Sequence, residues 1–271
     1  MIRILLIAVL LSSATMLHAG DNAPLGARSL GLAGCGVALQ GDLWGVQNNP
    51  AALGFVQKFQ AGAFYESRFL VPGLGQSAVA AALPTKPGVF GLGISSLSLQ
   101  NLYMANKVGL SFAKTFGPKL SAAVQLNWVY TRFGNNYGNA SAAVAEFGVM
   151  AEPVKNLSFG IHIFNLTRSK LGGDSDENLP TVMRAGGAYK FSEQLIVTLE
   201  AEKDIDHKPV IRGGIEYRPA DVLYLRAGAA SNPGLTAFGF GLNMQKLRLD
   251  LATTFHPQLG FSPSVGLQYT L

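Results

Sequence analysis

The sequence predicts an all-β protein: a transmembrane β-barrel of about 14 antiparallel strands with an N-terminal hatch inside the lumen. Three observations carry this. Charged residues make up 14% of the chain, against about 25% in soluble domains, while apolar residues reach 48%. Beyond the N-terminus, no uninterrupted apolar run reaches the roughly 18 residues that mark a spanning helix. Apolarity without long apolar runs is the composition of a barrel whose lipid-facing and lumen-facing residues alternate. Third, the stretch 26–54 is crowded with small residues and nearly free of charge. With no polar face it gains little as a surface helix, so something must enclose it.

The chain divides into 1–19, 20–57 and 58–271. Residues 1–19 read as an export signal, with Arg3 in the positive region, Ile4 to Leu11 as the apolar region, and cleavage after Ala19. Leu17 stands at the minus-three position, and no cysteine follows the cleavage point, so a lipoprotein signal is not indicated. The net charge of +5 comes without a Lys/Arg cluster, which argues against nucleic acid and suits a surface near anionic lipid. The single cysteine, Cys35, has no internal disulfide partner and reads as a small buried residue between Gly34 and Gly36.

Within 20–57, Pro50 fixes its own φ and pushes Asn49 away from helix. Asn48 and Asn49 are able to bond their own backbone there. The element Asn49-Pro50-Ala51 is therefore a rigid turn, read either as the lead into the first strand or as a hinge of the hatch.

From Lys58 onward the chain breaks into short alternating segments bounded by turn residues. Strands are predicted near 58–68, 75–84, 88–98, 105–116, 119–133, 140–152, 156–166, 180–191, 194–204, 208–218, 222–231, 235–244, 246–256 and 260–271. Most come close to the nine to eleven or so residues that a tilted spanning strand needs. Every second connection is tight, for example Thr85-Lys86-Pro87 and Gly117-Pro118. The opposite set holds the longest loops, 69–75, 99–104, 134–139 and 167–179. Short turns on one rim and longer loops on the other are the outer-membrane arrangement.

Alternation assigns the faces. Leu157, Phe159, Ile161 and Ile163 share one face of their strand, as do Leu195, Val197, Leu199 and Ala201, and Leu247, Leu249, Leu251 and Phe255. The opposite phase carries Arg184, Glu200, Glu202, Arg212, Glu216, Arg226, Arg248 and Asp250, with Lys190 and Arg218. A Lys or Arg on the lipid face at mid-depth costs about 2–4 kcal/mol, so these groups belong in the lumen. Their mixed signs suit pairing with one another and with the hatch better than ion selection. Some of Trp128, Tyr130, Tyr189, Tyr217, Tyr224 and Tyr269 should form interfacial girdles.

Catalytic chemistry finds no foothold. His162, His207 and His256 show no triad spacing, and His162 falls on the inward face of its strand. The Gly-x-Gly pairs, such as Gly91-Leu92-Gly93, lie inside strands and are not nucleotide fingerprints. Asp174 to Asn178 lacks the glycine and distal glutamate of a calcium loop. No enzyme activity, cofactor or metal is expected. The unusual feature is two apolar loops on the long-loop rim, 69–74 and 99–104. Leu70, Leu74, Leu102, Tyr103 and Met104 there would either capture a hydrophobic ligand, dock a partner protein, or pack over the lumen.

The start Gly26-Ala27-Arg28, the Gly/Ala-rich run, Asp42 and then Asn49-Pro50-Ala51-Ala52-Leu53 resemble the N-terminus of FadL-like outer-membrane proteins, and most of all their PorV/PorQ branch. The ending Ser264-Val265-Gly266-Leu267-Gln268-Tyr269-Thr270-Leu271 resembles the assembly signal by which the barrel-assembly machinery receives such proteins, with Leu in the last place where Phe is usual. The resemblance implies a cell outer-membrane location with lipid as the surrounding partner. It implies passive passage of hydrophobic compounds past a hatch around Asn49, Pro50 and Ala51. For the PorV/PorQ branch it implies instead a non-transporting accessory of a type IX secretion system that holds cargo or partner proteins.

Overall fold

The computed structural model describes residues 22–100, 102–134, 138–173, 179–205, 207–232 and 234–271. The expected export signal at 1–19 lies outside the described residues, as do Asp174 to Asn178. Period-2 alternation becomes a succession of antiparallel strands: β1 (Gln60–Ser67), β2 (Leu74–Pro84), β3 (Val89–Leu99), β4 (Tyr103–Thr115), β5 (Leu120–Phe133), β6 (Asn139–Val154), β7 (Leu157–Phe164), the two-residue β8 (Gly172–Gly173), β9 (Val182–Lys190), β10 (Leu195–Asp204), β11 (Val210–Ala220), β12 (Leu223–Ala230), β13 (Leu235–Met244), β14 (Leu247–His256) and β15 (Gly260–Thr270).

Each long strand pairs with the next, β7 with β9, and β15 returns to β1 through Gln60↔Thr270 to Glu66↔Ser264. The result is a closed barrel of 14 long strands. Closure leaves no unpaired sheet edge, which is what a sheet in lipid requires. The ladder shifts register at Ala151/Val154 and Tyr217/Ala220, both near the short-turn rim. β8 lies outside the ring proper, pairing with Ala140 and Ser141 on the part of β6 that rises above β7.

The two faces differ as the alternation requires. Leu126, Leu199 and Phe238 point outward with 70%, 63% and 60% of their surface exposed, while Glu146, Glu200 and Arg226 point inward and are buried. Such an apolar outer belt around a polar interior would be unstable in water and is matched to hydrocarbon. Among the described residues no helix is long and apolar enough to cross a membrane.

Strand limits correct three positions. Leu74 opens β2, and Tyr103 and Met104 open β4, so all three belong to strands and not to the loops expected at 69–75 and 99–104. Alternation simply continues further than the turn residues suggested. Conversely, β7 ends at Phe164, because Asn165 takes a left-handed φ of 56°, which a strand cannot continue through.

Residues 22–56 fill the lumen. They form single helical turns at Ala27–Leu30 and Gly45–Asn48 and a 3₁₀ segment at Pro50–Phe55. Pro50 at the start of that segment supplies a pre-set φ, and Asn49 caps it by accepting from the Ala51 amide at 3.1 Å. Short turns rather than one long helix let each few residues meet a different part of the wall.

Candidate functional site: the plugged lumen and its mouth

The hatch touches two unlike walls. Toward β1–β6 it presents Leu43, Trp44, Val46, Ala51, Leu53 and Val56, which pack against Phe64, Ala78, Ala80, Ala82, Val89, Ala113 and Ala123. The wall residues are small because the hatch comes close. At Gly160 in β7 a Cβ would collide with the Val37 carbonyl, and at Gly148 in β6 it would collide with the Asn49 side chain. The absent side chains are recesses into which the hatch is set. Asn49, fully buried, donates to the carbonyls of Val37 at 2.7 Å and of Val149 in β6 at 3.3 Å. It thus ties the turn before Pro50 both to the hatch and to the wall.

Toward β9–β14 the contact is ionic. Arg28 bridges Asp42 of the hatch at 3.0 Å and Glu216 of β11 at 2.7 Å. Arg226 pairs with Glu216 at 2.6 Å and with Asp250 at 2.8 Å, and Arg248 pairs with Asp250 at 2.8 Å. Tyr224 completes this cluster, its ring 5.1 Å from the Arg248 guanidinium, so it faces the lumen and not the interface. Glu200 of β10 accepts from the amides of Gly36 and Val37 at 2.8 and 2.9 Å. Glu202 holds Arg184 at 2.6 Å and Arg212 at 3.0 Å. Buried charges are tolerated where they are paired and hydrogen-bonded in this way. Cys35, beside Glu200, is buried; burial first and the neighbouring carboxylate second push its thiol up to about 12.

A third polar group closes the ring above the hatch. Glu146 of β6 accepts from Asn127 at 2.9 Å, contacts His162 Nε2 at 2.9 Å and lies 3.4 Å from Lys107 Nζ. Asn22 of the hatch accepts from Lys107 at 2.8 Å through its side chain and from Arg184 through its carbonyl. One hatch residue is therefore gripped from β4 and from β9. The space left between Gln76, Ser95, Leu97, Ala105, Lys107 and Val129 is about 20 Å³, the size of a water molecule.

Above this polar layer, on the long-loop rim, lies an apolar chamber. Its walls are Val129, Ala140, Ala142, Val144, Phe164 and Val182, with Tyr103 and Phe133 packed against them at 5.7 Å between ring centroids. Leu171 and Leu179, from the connection between β7 and β9, fill it and are almost wholly buried. That connection is tied down at Asn165, which donates to the Leu179 carbonyl at 2.9 Å and accepts from the Ser169 amide at 2.8 Å.

The structure divides the five residues expected to meet a ligand. Leu74 is buried and in the inward phase of β2, and Tyr103 joins the chamber. Leu70 and Leu102 are 60% and 52% exposed at loop tips, and Met104 takes the outward phase of β4. Asn49, Pro50 and Ala51 all lie buried in the hatch. The eight charged wall residues line one side of the lumen in the contacts given above. Sequence reasoning missed Arg28 and Asp42, which serve the same network from the hatch, and the group Lys107–Glu146–His162. It also missed Leu171 and Leu179. A lone Arg and a lone Asp inside an otherwise uncharged, enclosed segment are the signal that would have found the first two.

No protein-family profile matches the sequence, and no curated protein matches it. Solved structures do match in fold. The chain superposes on a monoaromatic hydrocarbon channel, CymD, with a TM-score of 0.72 at 14% identity, covering 93% of this chain and 99% of that one. The toluene transporter TodX of P. putida gives 0.73 at 12% identity, with the same coverages. A Pseudomonas aeruginosa FadL homologue gives 0.61 at 13% identity, covering 94% and 98%. The chain thus shares the fold of FadL-family barrels over nearly its whole length.

Proposed function

We propose that this chain is an outer-membrane barrel that admits small hydrophobic compounds passively, by way of the apolar chamber at its long-loop rim. The observation that carries the reading is that chamber: side chains from β4, β5, β6, β7 and β9 converge on an apolar space filled by two leucines of a loop. Leucines held there by a loop mark a surface that an apolar molecule of similar bulk is able to wet in their place. The paired lumen below it is unsuited to ions, because opposite charges at matched positions neutralise one another. The neighbours named as hydrocarbon channels support the same reading through shared architecture. The outer-membrane location is supported by the apolar belt and by the C-terminal strand, whose resemblance to the assembly signal points to barrel-assembly machinery as a partner.

The test is uptake of radiolabelled toluene by lipopolysaccharide-bearing cells that express the barrel. Val144→Glu, which sets a charge in the chamber, should abolish the accelerated uptake while the barrel still assembles. Accelerated uptake that persists in this variant would overturn the reading. A second reading, the PorV/PorQ-type secretion accessory, draws support from the tightly set hatch, which suits a scaffold as well as a conduit. Co-purification of the native barrel with a large translocon or cargo, together with unaltered toluene uptake, would favour it.

A further inference from the structure

Charge is not spread evenly round the short-turn rim. The entry to β1 and the turns β2–β3, β4–β5 and β13–β14 carry Lys58, Lys86, Lys114, Lys119 and Lys246, all exposed, and no acidic side chain. A carboxylate at Leu271, whose amide donates to the Phe59 carbonyl at 3.0 Å, would offset at most one of them. The three other short turns are balanced: Lys155, Lys190 and Arg218 stand with Glu152, Glu193 and Asp221. Among the described residues, Lys58, Lys86 and Lys246 have no ion-pair partner.

A groove opens in the lipid-facing wall above the middle of this basic sector. It follows β1, whose outward residues there are Ala61 and Ala63, with Ala81 of β2 beside them. Leu267 and Tyr269 of β15 form one bank, and Val79 of β2 and Leu92 of β3 the other. The register sets Ala61 between Tyr269 and Ala81, and Ala63 between Leu267 and Val79. Tyr65, next in the outward phase of β1 and 51% exposed, stands at the upper end. The space measures about 400 Å³, within the range of small-molecule sites, and its lining is apolar. Level with its lower end, Phe90 pairs with Leu83 on one side and Phe112 on the other, the two rings 5.0 Å apart. Such rings gather where hydrocarbon meets headgroups. The lysines follow at once: Lys246 precedes Leu247 of the groove lining, Lys58 precedes Phe59, and Lys86 lies in the turn after Leu83.

We infer that this groove seats one acyl chain of an anionic phospholipid whose phosphate headgroup is held by Lys58, Lys86 and Lys246 below it. A flat belt touches an acyl chain along one side, whereas the groove also meets it from both banks, so more apolar surface leaves contact with other lipid. The lysine stems lie along the apolar wall while their ammonium groups reach the phosphate. A second groove supplies the comparison. It runs over β9 and measures about 850 Å³, with Gly187 paired between Phe159 and Leu199. The short turns beneath it hold Lys155 and Lys190 against Glu152 and Glu193, so a chain there is taken without regard to headgroup charge.

The inference rests on the membrane placement proposed above, and the test separates the two. Trp128→Phe removes an exposed tryptophan, and Trp44 is buried in the hatch. In that background Leu92→Trp reports on the β1 groove and Leu199→Trp on the β9 groove. Each is reconstituted in vesicles of equal phosphatidylcholine and phosphatidylglycerol, with bromine on the acyl chains of one lipid or the other. At position 92 brominated phosphatidylglycerol should show an advantage of about fivefold or more, the factor that attraction to a single lysine supplies at an anionic surface. At position 199 the two lipids should quench alike. Lys58→Gln, Lys86→Gln and Lys246→Gln together should bring position 92 to parity, and so should Ala63→Phe, which fills the groove and keeps the lysines. If both tryptophans are quenched by aqueous iodide instead of bromolipid, the membrane placement itself fails. If position 92 responds equally to both lipids, the placement stands and the lipid site fails. An advantage that survives either set of substitutions, or that appears equally at 199, overturns the inference. So does shielding of position 92 from both quenchers, which assigns the groove to a second copy. Leu267→Trp, on the opposite bank, replaces Leu92→Trp if that variant does not assemble.

Discussion

The two walls that hold the hatch solve one problem with different physics. Along β1–β6 the wall yields volume: alanines and glycines make room, and the hatch supplies Leu43, Val46 and Leu53 to fill it. Along β9–β14 the wall supplies charge: Glu200, Glu202, Glu216 and Asp250 meet Arg184, Arg212, Arg226 and Arg248, and the hatch adds Arg28 and Asp42. Apolar packing is tolerant of small sliding, since burial is non-directional. A bidentate guanidinium is not, because its donors must meet fixed oxygens. The apolar wall therefore contributes bulk stabilisation, and the ionic wall fixes where the hatch sits.

That contrast sets the order of expected effects. Glu216→Gln keeps the shape but removes the charge shared by Arg28 and Arg226, and should cost about 3–5 kcal/mol, the range for breaking one partner of a buried pair. Urea unfolding in lipid vesicles, read by the heat-dependent shift in gel migration of the folded barrel, measures it. A cost under about 1 kcal/mol would place the cluster among solvated pairs and erase the contrast. On the other wall Leu53→Ala should cost about 2–5 kcal/mol through lost burial and a residual cavity, with no change in salt dependence. Strong salt dependence in that variant would mean that the two walls are not separable.

Asn49→Ala should cost less, about 1–2 kcal/mol, since it removes the cap on Pro50–Phe55 and leaves the Val37 carbonyl without its donor. The smallest effect is alkaline. An unfolded Cys35 thiol ionises near 9.0 and the folded one near 12, so the unfolded chain loses its proton first. Stability then falls as pH rises through that window. Cys35→Ser should flatten the alkaline limb of a stability–pH profile between those values, and an unchanged limb would assign it to other groups.

Much of the fold was legible because barrel strands repeat a period of two. Leu195, Val197 and Leu199 announce one face and Glu200 and Glu202 the other, and the register follows once turns are marked. The inward charges were legible for the same reason: no other face would take them. What was illegible is nonlocal. Arg28 meets Glu216 across 188 residues, and nothing in either stretch names the other. Leu171 and Leu179 read as loop residues because burial of a loop depends on the chamber beneath it, assembled from five strands. Abundant glycine suits a wall that another backbone approaches closely, but nothing local to β6 or β7 says that Gly148 and Gly160 are the recesses for Asn49 and Val37.

The measurement that bears most directly on a barrel sealed by its own leading segment is steady conductance in a planar bilayer. The unsubstituted protein, inserted and verified by heat-dependent migration, should pass no sustained current, while Glu216→Gln combined with Glu200→Gln should flicker open as the hatch loses its fixed seat. A sustained current through the unsubstituted protein, like that of an open pore, would contradict the sealed lumen.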